Sequence, residues 1–340
     1  MREVSVTTGS RLHFGPLSVG APAGGRFGGV GVMIAAPRTV LTARTAAVDR
    51  VCGEGPLVSR VDRLMQTVRQ SHGLGDQPAC ELQISETIPA HAGFGSGTQL
   101  GLAVATAMSR VADESEISLK TLAMRVQRGR RSAIGLYGFQ QGGFLVDGGR
   151  FEANQIGTLV TRVEFPSDWR FVLAAPKKGV GLSGEAEQSA FGKQPPMPVA
   201  LTAELCRIVL MDWLPATIDA DFDRCSDAMY TFGYAVGEFF LPAQGGVFAS
   251  PRMAEWVQTL QSRGLRGVAQ TSWGPTVAAL CENEAEARQL QRDFANDESW
   301  SDCTFDVVES LNRGATIQVS SLDSTLVNRG RRPDLPGSSK

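Results

Sequence analysis

The sequence lacks a strong net charge, a long apolar run and a leader-like N-terminus. Its 340 residues carry 33 Lys and Arg against 35 Asp and Glu, for a formal net charge of −2, so no global field attracts nucleic acid or an anionic membrane. No stretch reaches the roughly 18 apolar residues that cross a bilayer, and the N-terminus has no basic segment followed by an apolar one. We therefore predict a cytoplasmic protein that binds neither nucleic acid nor membrane.

Cysteine and histidine are scarce and are not arranged for metal binding. The 6 cysteines include no Cys-x-x-Cys pair, which indicates buried thiols in a reducing compartment. The 3 histidines show no i, i+4 pairing and therefore no zinc-site pattern. The sequence assigns no metal ligand.

The chain is long enough for two domains with separate cores, and 42% of its residues are apolar. Short β-like runs alternate with helical periodicities, an order that indicates strands with helices packed on one face, an α+β fold. A domain boundary is predicted between 149 and 166. We therefore predict domains at 1–160 and 161–328, followed by a flexible tail at 329–340 that is rich in Arg, Pro, Gly and Ser.

A glycine-rich segment at 89–99 carries the clearest functional signal. It lies between a predicted strand at 81–85 and a predicted helix at 98–111, so glycines that permit tight turns precede a helix N-terminus. The first amides and the dipole of such a helix attract an anion such as phosphate. It is neither a Walker loop nor a dinucleotide fingerprint, and the alternative is an ordinary glycine-rich turn with a Ser/Thr cap. The residues predicted to bind the anion are Gly93, Gly95, Ser96, Gly97, Thr98 and Gln99.

Arginine is concentrated at 125–131, where four occur within seven positions. Guanidinium forks match the oxygens of phosphate and carboxylate. We predict that Arg128, Arg130 and Arg131 clamp such a group, with Ser132 beside them. The alternative is a solvated helix end whose arginines complement the helix dipole.

Three further segments, at 8–15, 24–29 and 270–276, mix glycine with donor side chains. For the segment at 270–276 the alternative is a plain turn with the tryptophan as a core anchor. The candidate ligand-binding residues in them are Arg11, His13, Arg26, Ser272 and Trp273.

Acid–base groups near these segments are few. Histidine is the commonest general base, so His13 and His91 are predicted to be catalytic together with Arg130 and Arg131. Structural roles are the alternative for both histidines. No Gly-x-Ser-x-Gly elbow supports serine hydrolysis. The nearby carboxylates are base or metal-ligand candidates that also fit structural or solvated roles: Glu86, Asp147, Glu185 and Glu187.

The order of these segments resembles the GHMP kinase superfamily. The segment at 89–98 is similar to its phosphate loop, with Phe94 for a leucine and Gly97 for the second serine. Those kinases usually carry a catalytic Asp eight residues before a Gly-Gly pair, where this chain has Ile134. Both departures argue against ordinary ATP-dependent phosphoryl transfer.

A closer resemblance is to the β-ribofuranosylaminobenzene 5′-phosphate synthase family of the same superfamily. It rests jointly on the blocks at 11–15, 28–31, 93–100, 129–135, 142–149 and 272–276. The resemblance implies a GHMP-kinase-like fold with an N-terminal ribosomal-protein-S5-like domain and a C-terminal ferredoxin-like α/β sandwich. It also implies that phosphoribosyl diphosphate and 4-aminobenzoate or 4-hydroxybenzoate condense, with release of CO₂ and diphosphate, in tetrahydromethanopterin synthesis.

The same resemblance implies a substrate-bridged Mg²⁺ and a homodimer. Two rivals stay open at the level of sequence: a small-molecule kinase with a relocated carboxylate, and a regulator that senses a phosphorylated ligand. The choice between amino and hydroxy benzoate is also open, because one polar contact can decide it.

Overall fold

The computed structural model describes residues 2–20, 25–71, 78–114, 116–152, 154–178 and 194–321. It contains two antiparallel-rich sheets with helices between and around them, so the predicted α+β class is confirmed. The predicted tail at 329–340 lies outside the described residues.

The first sheet has 7 strands and is built around two long strands, β1 (Arg2–Gly15) and β2 (Gly29–Thr45). Both alternate buried and exposed positions along part of their length, as strands with one covered face do. The remaining strands of this sheet are β3 (Arg50–Cys52), β4 (Cys80–Glu86), β5 (Phe144–Asp147), β6 (Leu159–Val163) and β11 (Thr316–Ser321). The strands lie side by side in the order β11, β1, β2, β4, β3, and β5 and β6 extend the sheet from β2.

Four helices cover this sheet: α1 (Pro56–Gln70), α2 (Ser96–Val111), α3 (Leu119–Arg125) and α4 (Ile134–Gln141). Helix α2 is buried on all sides, including Gly101, Ala103, Ala105 and Ala107. A helix without a polar face is a core element, and its small residues let α1, α3 and α4 pack close to it. The N-terminus of α2 is consequently held in one place by the surrounding core.

The second sheet has four antiparallel strands in the order β10-β7-β9-β8. They are β7 (Arg170–Pro176), β8 (Val268–Gln270), β9 (Val277–Cys281) and β10 (Cys303–Glu309). The helices of this part are α5 (Val199–Arg207), α6 (Leu214–Ile218), α7 (Phe222–Gln244), α8 (Pro251–Ser262) and α9 (Glu284–Ala295). A π-helical stretch at Ile208–Trp213 joins α5 to α6.

Aromatic side chains join the two sheets into one core. The ring of Trp213 lies 5.2 Å from Phe14 of β1 and 5.1 Å from Phe144 of β5. It also lies 5.5 Å from Phe232 of α7. The same cluster of buried residues includes Phe171 and Leu173 of β7 in the second sheet, so the two sheets share one core.

The chain crosses between the sheets more than once. Strand β11 returns to the first sheet, where Arg2 pairs with Ser321 and Thr7 with Thr316. Strand β6 pairs with β5 in the same sheet and spans the predicted boundary at 160. The first sheet therefore includes residues from both predicted sequence ranges.

Candidate active site

The glycine-rich loop between β4 and α2 takes left-handed backbone angles that favour glycine. Gly93 has φ 85° and Gly95, the residue before α2, has φ 73°. A Cβ at Gly93 would lie 2.5 Å from the carbonyl oxygen of Thr271, so this position excludes any side chain by contact as well as by φ. The loop thus turns tightly against the second sheet and leads directly into α2.

Three consecutive carbonyl oxygens of the loop, those of residues 92–94, accept hydrogen bonds from neighbouring elements. Thr276 Oγ1 donates to Ala92 O over 2.9 Å, Thr271 Oγ1 donates to Gly93 O over 3.0 Å, and the Arg11 amide donates to Phe94 O over 3.2 Å. In a trans peptide the next N–H points opposite to the carbonyl. The amides of residues 93–95 therefore point away from these donors and remain for a ligand.

A cavity of about 760 Å³ lies over the loop and the start of α2. Its wall includes Gly93, Gly95, Ser96, Gly97 and Thr98, as predicted for the anion-binding residues. Helix N-termini provide unpaired amides and a positive dipole end. The loop and the first turn of α2 therefore place amide donors and a positive dipole end at the wall of this cavity.

Five arginines line the same cavity. They come from three parts of the fold, namely β1, α1 and the segment between α3 and α4: Arg11, Arg60, Arg63, Arg128 and Arg131. Among the described residues in its wall, none is Asp or Glu. The cavity is consequently electropositive and suits a ligand with several negative charges.

A second cavity of about 470 Å³ adjoins the first and is also free of carboxylates among its described wall residues. The two share the side chains that stand between them: Arg11, Thr98, Arg128, Arg131, Ser272 and Trp273. His13, Arg130 and Ser132 line only the second cavity. The predicted arginine clamp and the predicted loop thus face one continuous site with two compartments.

His13 is the buried titratable group of the second compartment. Its Nε2 lies 3.1 Å from Ser132 Oγ, and only 8% of the residue is exposed. Burial, and secondarily the charge of Arg11, hold the pKa of His13 well below the usual 6.5. The imidazole is therefore neutral near pH 7.

Asp147 holds the segment that carries the clamp. It is fully buried, and its two carboxylate oxygens accept the amides of Ala133 over 2.6 Å and Gly149 over 2.8 Å. Burial raises the pKa of this carboxyl, and the two amide bonds partly offset that rise. Asp147 is the partner that orders the backbone immediately after Ser132.

The other predicted residues occupy varied places. His91 is exposed at the rim of the first cavity, whereas Trp273 is buried against Phe240 with ring centroids 4.9 Å apart. The Ser272 amide donates to His13 O over 2.6 Å. Arg26 is exposed and lines neither cavity; its backbone pairs with Arg150.

Gln99 was predicted to contact the ligand, but the structure buries it completely. Its Nε2 donates to Gly135 O over 2.8 Å, and its Oε1 accepts from Thr8 Oγ1 over 2.7 Å. Both ends of the amide are thus occupied, and the side chain joins α2 to α4 and β1. Glu86 lines neither cavity and pairs with Arg38 on the surface.

Sequence reasoning missed Arg60, Arg63, Thr271 and Thr276. The two arginines occupy polar positions of an amphipathic helix. From the sequence alone, such positions cannot be distinguished from positions that face water. The two threonines lie within the segment at 270–276, between β8 and β9, and the sequence pattern gave them no individual role.

The donor set does not fit a protein-held magnesium. Within the ranges that the structure describes, no group of three or more His, Cys, Asp or Glu is placed to hold a metal ion. Glu185 and Glu187 lie outside the described residues. Magnesium prefers carboxylate and other oxygen ligands, whereas the two cavities offer guanidinium and amide donors.

Known proteins share this arrangement. The model of the GHMP kinases N terminal domain matches residues 57–140, and that of the GHMP kinases C terminal domain matches residues 214–298. The galactokinase of Lactococcus lactis, solved with galactose, superposes with a TM-score of 0.65 at 14% identity, covering 92% of this chain and 95% of its own. Together, the two domain matches and this superposition show that the chain has the fold of the GHMP kinase superfamily.

Within that superfamily the chain is similar to archaeal β-ribofuranosylphenol 5′-phosphate synthases. The protein of that name from Archaeoglobus fulgidus is 29% identical, covering 92% of this chain and 98% of the relative. Its counterpart from Methanothermobacter thermautotrophicus is 27% identical, covering 83% and 90%. None of the helices in the described part of the chain is long and apolar enough to cross a membrane.

Proposed function

We propose that this enzyme condenses phosphoribosyl diphosphate with a 4-substituted benzoate, releases CO₂ and diphosphate, and forms a β-ribofuranosyl-arene 5′-phosphate for tetrahydromethanopterin synthesis. The observation that carries the proposal is a two-compartment cavity in which an amide loop and five arginines face the ligand without a carboxylate among the described wall residues. The name shared by the archaeal relatives supports the same reaction.

The departure of diphosphate from ribose C1 needs fixed donors. Negative charge grows on the leaving oxygen while C1 becomes electron-poor, and preorganised donors are the strongest aid to such a step. The amides of residues 93–95 and the hydroxyls of Ser96 and Thr98 lie at the first cavity. Arg128 and Arg131 reach both cavities and can hold the substrate across them.

The acceptor carbon is activated by the group para to it. When a 4-hydroxybenzoate gives its phenolic proton to His13 through Ser132, the ring carbon that bears the carboxylate attacks C1. Loss of CO₂ restores the aromatic ring, and the phenolate takes the proton back. Proton, carbon and charge therefore balance without an external acid, and His13 acts as a general base and acid.

Two features support a hydroxybenzoate over an aminobenzoate. The relatives are named for a ribofuranosylphenol product, and a neutral imidazole next to Ser132 is matched to a phenol, which releases a proton far more readily than an aromatic amine. An α-diphosphate that yields a β-riboside requires inversion at C1, which agrees with direct displacement.

A kinase is the second candidate, and one position decides against it. Ile134 occupies the place where the resembling kinases carry their catalytic Asp, and it is fully buried in a small apolar cluster. Asp147, the nearby carboxylate, is already bonded to two amides. The described cavity walls thus offer no carboxylate base to a substrate hydroxyl.

Product analysis separates these functions. The protein is incubated either with phosphoribosyl diphosphate and 4-hydroxybenzoate or with ATP and candidate alcohols, and the products are identified by mass spectrometry. The proposal predicts the aryl riboside 5′-phosphate in the first mixture only. A phosphorylated alcohol would support the kinase, and tight ligand binding without any product would support a regulator.

Three further properties belong to this proposal. Magnesium arrives bridged to the diphosphate of the substrate, and none of the steps above depends on it. The protein acts as a homodimer in the cytoplasm. The family resemblance supports these points, and size-exclusion chromatography with light scattering tests the dimer.

A further inference from the structure

Two guanidinium groups converge on one glycine of the anion site. A Cβ built on Gly97, in the first turn of α2, would lie 3.1 Å from Nη2 of Arg128 and 3.4 Å from Nη2 of Arg60. Arg60 comes from α1 and Arg128 from the segment after α3. The two side chains therefore reach the start of α2 from different elements, and both guanidinium groups lie close to the position of a side chain at 97.

The charge of Arg60 is poorly compensated by the protein. Burial, and secondarily Arg63, lower the pKa of the Arg60 guanidinium from its usual value. No carboxylate of the described chain forms an ion pair with Arg60, and its two charged neighbours at the cavity are arginines. A half-buried cation beside like charges is unfavourable until an anion joins it.

The anion that fits is the diphosphate group rather than the 5′-phosphate. Arg60 and Arg63 line only the larger cavity, which also contains the loop amides, whereas His13 and Ser132 line only the smaller one. A diphosphate presents two phosphoryl groups and more negative charge than a monophosphate. The larger cavity has both the additional volume and the additional arginines.

We infer that Arg60 and Arg128 form a guanidinium pair that binds the diphosphate of phosphoribosyl diphosphate over the first amides of α2. This inference rests on the proposed function. The two guanidinium groups neutralise the negative charge of the leaving diphosphate. In other phosphate sites, metal ions bound by carboxylates have this role. Diphosphate binding consequently does not require a divalent cation.

The test compares Arg60→Gln with Arg50→Gln, a matched change of an exposed arginine that pairs with Glu81 away from both cavities. Affinities for inorganic pyrophosphate and for ribose 5-phosphate are measured by calorimetry with EDTA present. Loss of one charge-assisted contact predicts about tenfold or weaker pyrophosphate binding by Arg60→Gln. Ribose 5-phosphate binding by that variant, and both affinities of Arg50→Gln, should change less than about twofold.

A second variant, Gly97→Ser, keeps both positive charges but adds a side chain against the two guanidinium groups, which must then shift. It should weaken pyrophosphate binding as well, and thermal unfolding should show both variants folded. Unchanged pyrophosphate affinity in Arg60→Gln, an equal loss for ribose 5-phosphate, or loss of wild-type pyrophosphate binding in EDTA would each overturn the inference.

The outcomes separate the inference from the proposed function. If the wild-type protein forms the aryl riboside but Arg60→Gln binds pyrophosphate normally, the guanidinium pair is rejected and the function stands. If Arg60→Gln loses pyrophosphate affinity but the wild-type protein forms no riboside, the pair stands and the proposed reaction is rejected.

Discussion

At the scale of single residues, His13 is the group placed to handle a proton. Its neutral imidazole lies 3.1 Å from Ser132 in the compartment proposed for the acceptor. Because general base catalysis contributes about 100-fold or more, we predict that His13→Gln lowers kcat by about that factor. The KM for phosphoribosyl diphosphate should change little, since His13 lines only the second cavity. Steady-state kinetics checks this, and an unaltered kcat would assign His13 a structural role.

The lowered pKa of His13 also predicts how stability depends on pH. The unfolded chain takes up a proton on this histidine near 6.5, whereas the folded protein does so only at lower pH. Between those two values the unfolded state holds more protons, so stability is lost as pH falls below about 6.5. The urea midpoint should therefore drop more steeply on acidification in the wild type than in His13→Gln. Parallel curves for the two proteins would contradict the assigned shift.

Residue patterns predicted part of this site. The glycines at 93, 95 and 97 and the arginines after 125 were recognisable from the sequence. Repeated glycine raises the entropy cost of folding unless a tight turn requires it, and clustered arginines repel one another unless an anion binds them. Arg60 was not recognisable, because a polar position on an amphipathic helix looks the same whether it faces water or a ligand. Its role depends on where α1 packs, which is a tertiary property.

At the scale of elements, the loop before α2 fixes where the amides point. A side chain at Gly95 would adopt φ 73° and its Cβ would lie 3.0 Å from Arg11 Cγ. We predict that Gly95→Ala weakens phosphoribosyl diphosphate binding by about tenfold or more, in addition to a backbone cost of about 1 kcal/mol.

Gly264→Ala is the control for that change. Gly264 has φ 86°, and a Cβ there would meet nothing within 4 Å, so it carries similar backbone strain without a contact. Equal substrate affinity in the two variants, measured by calorimetry, would mean that the loop geometry at position 95 is irrelevant to binding.

The segment that leads into α4 depends on Asp147. Replacement by Ala leaves the buried amides of Ala133 and Gly149 without their acceptor, which costs about 2–4 kcal/mol for two unsatisfied donors. We predict this loss in the free energy of unfolding for Asp147→Ala, together with a higher KM for the benzoate, since Ser132 loses its support. A fully stable variant in urea titration would show that the two amides find other partners.

Helices differed in how well their sequence predicted them. Helix α2 begins at Ser96, two residues before the predicted start, and the left-handed Gly95 is its N-cap. Helix α4 was missed, because Gly135 and Gly138 suggested irregular backbone. In the structure these glycines allow α4 to approach Thr98 and Met33 closely, so they serve helix packing.

At the scale of the whole molecule, the site exists only because the second sheet supports the first. The Thr271 hydroxyl donates to Gly93 O and accepts the His13 amide, each over 3.0 Å. We predict that Thr271→Val destabilises the protein by about 1–3 kcal/mol, because a buried donor and a carbonyl lose their partners. The KM for phosphoribosyl diphosphate should rise at the same time, since the loop is released. Thermal unfolding measures the stability and steady-state kinetics measures the KM. Unchanged stability together with an unchanged KM would contradict this cross-sheet contact.

The two-sheet arrangement was predictable as a class but not in its connections. The order of strands and helices indicated α+β, which is correct. Strand β11 (Thr316–Ser321) pairs with β1 at the edge of the first sheet. That edge exists only after the first sheet has folded, so a local sequence pattern does not predict this pairing. The division into 1–160 and 161–328 stays a prediction, although the first sheet draws strands from both ranges.

The most direct test of the account measures CO₂ and diphosphate together. Carboxyl-labelled 4-hydroxybenzoate is incubated with phosphoribosyl diphosphate and the protein, and released ¹⁴CO₂ and diphosphate are counted against the aryl riboside 5′-phosphate. We predict equal amounts of all three, and a decrease of all three in Gly95→Ala and Arg131→Ala at substrate concentrations below saturation. Diphosphate release without ¹⁴CO₂, or undiminished release by both variants, would contradict it.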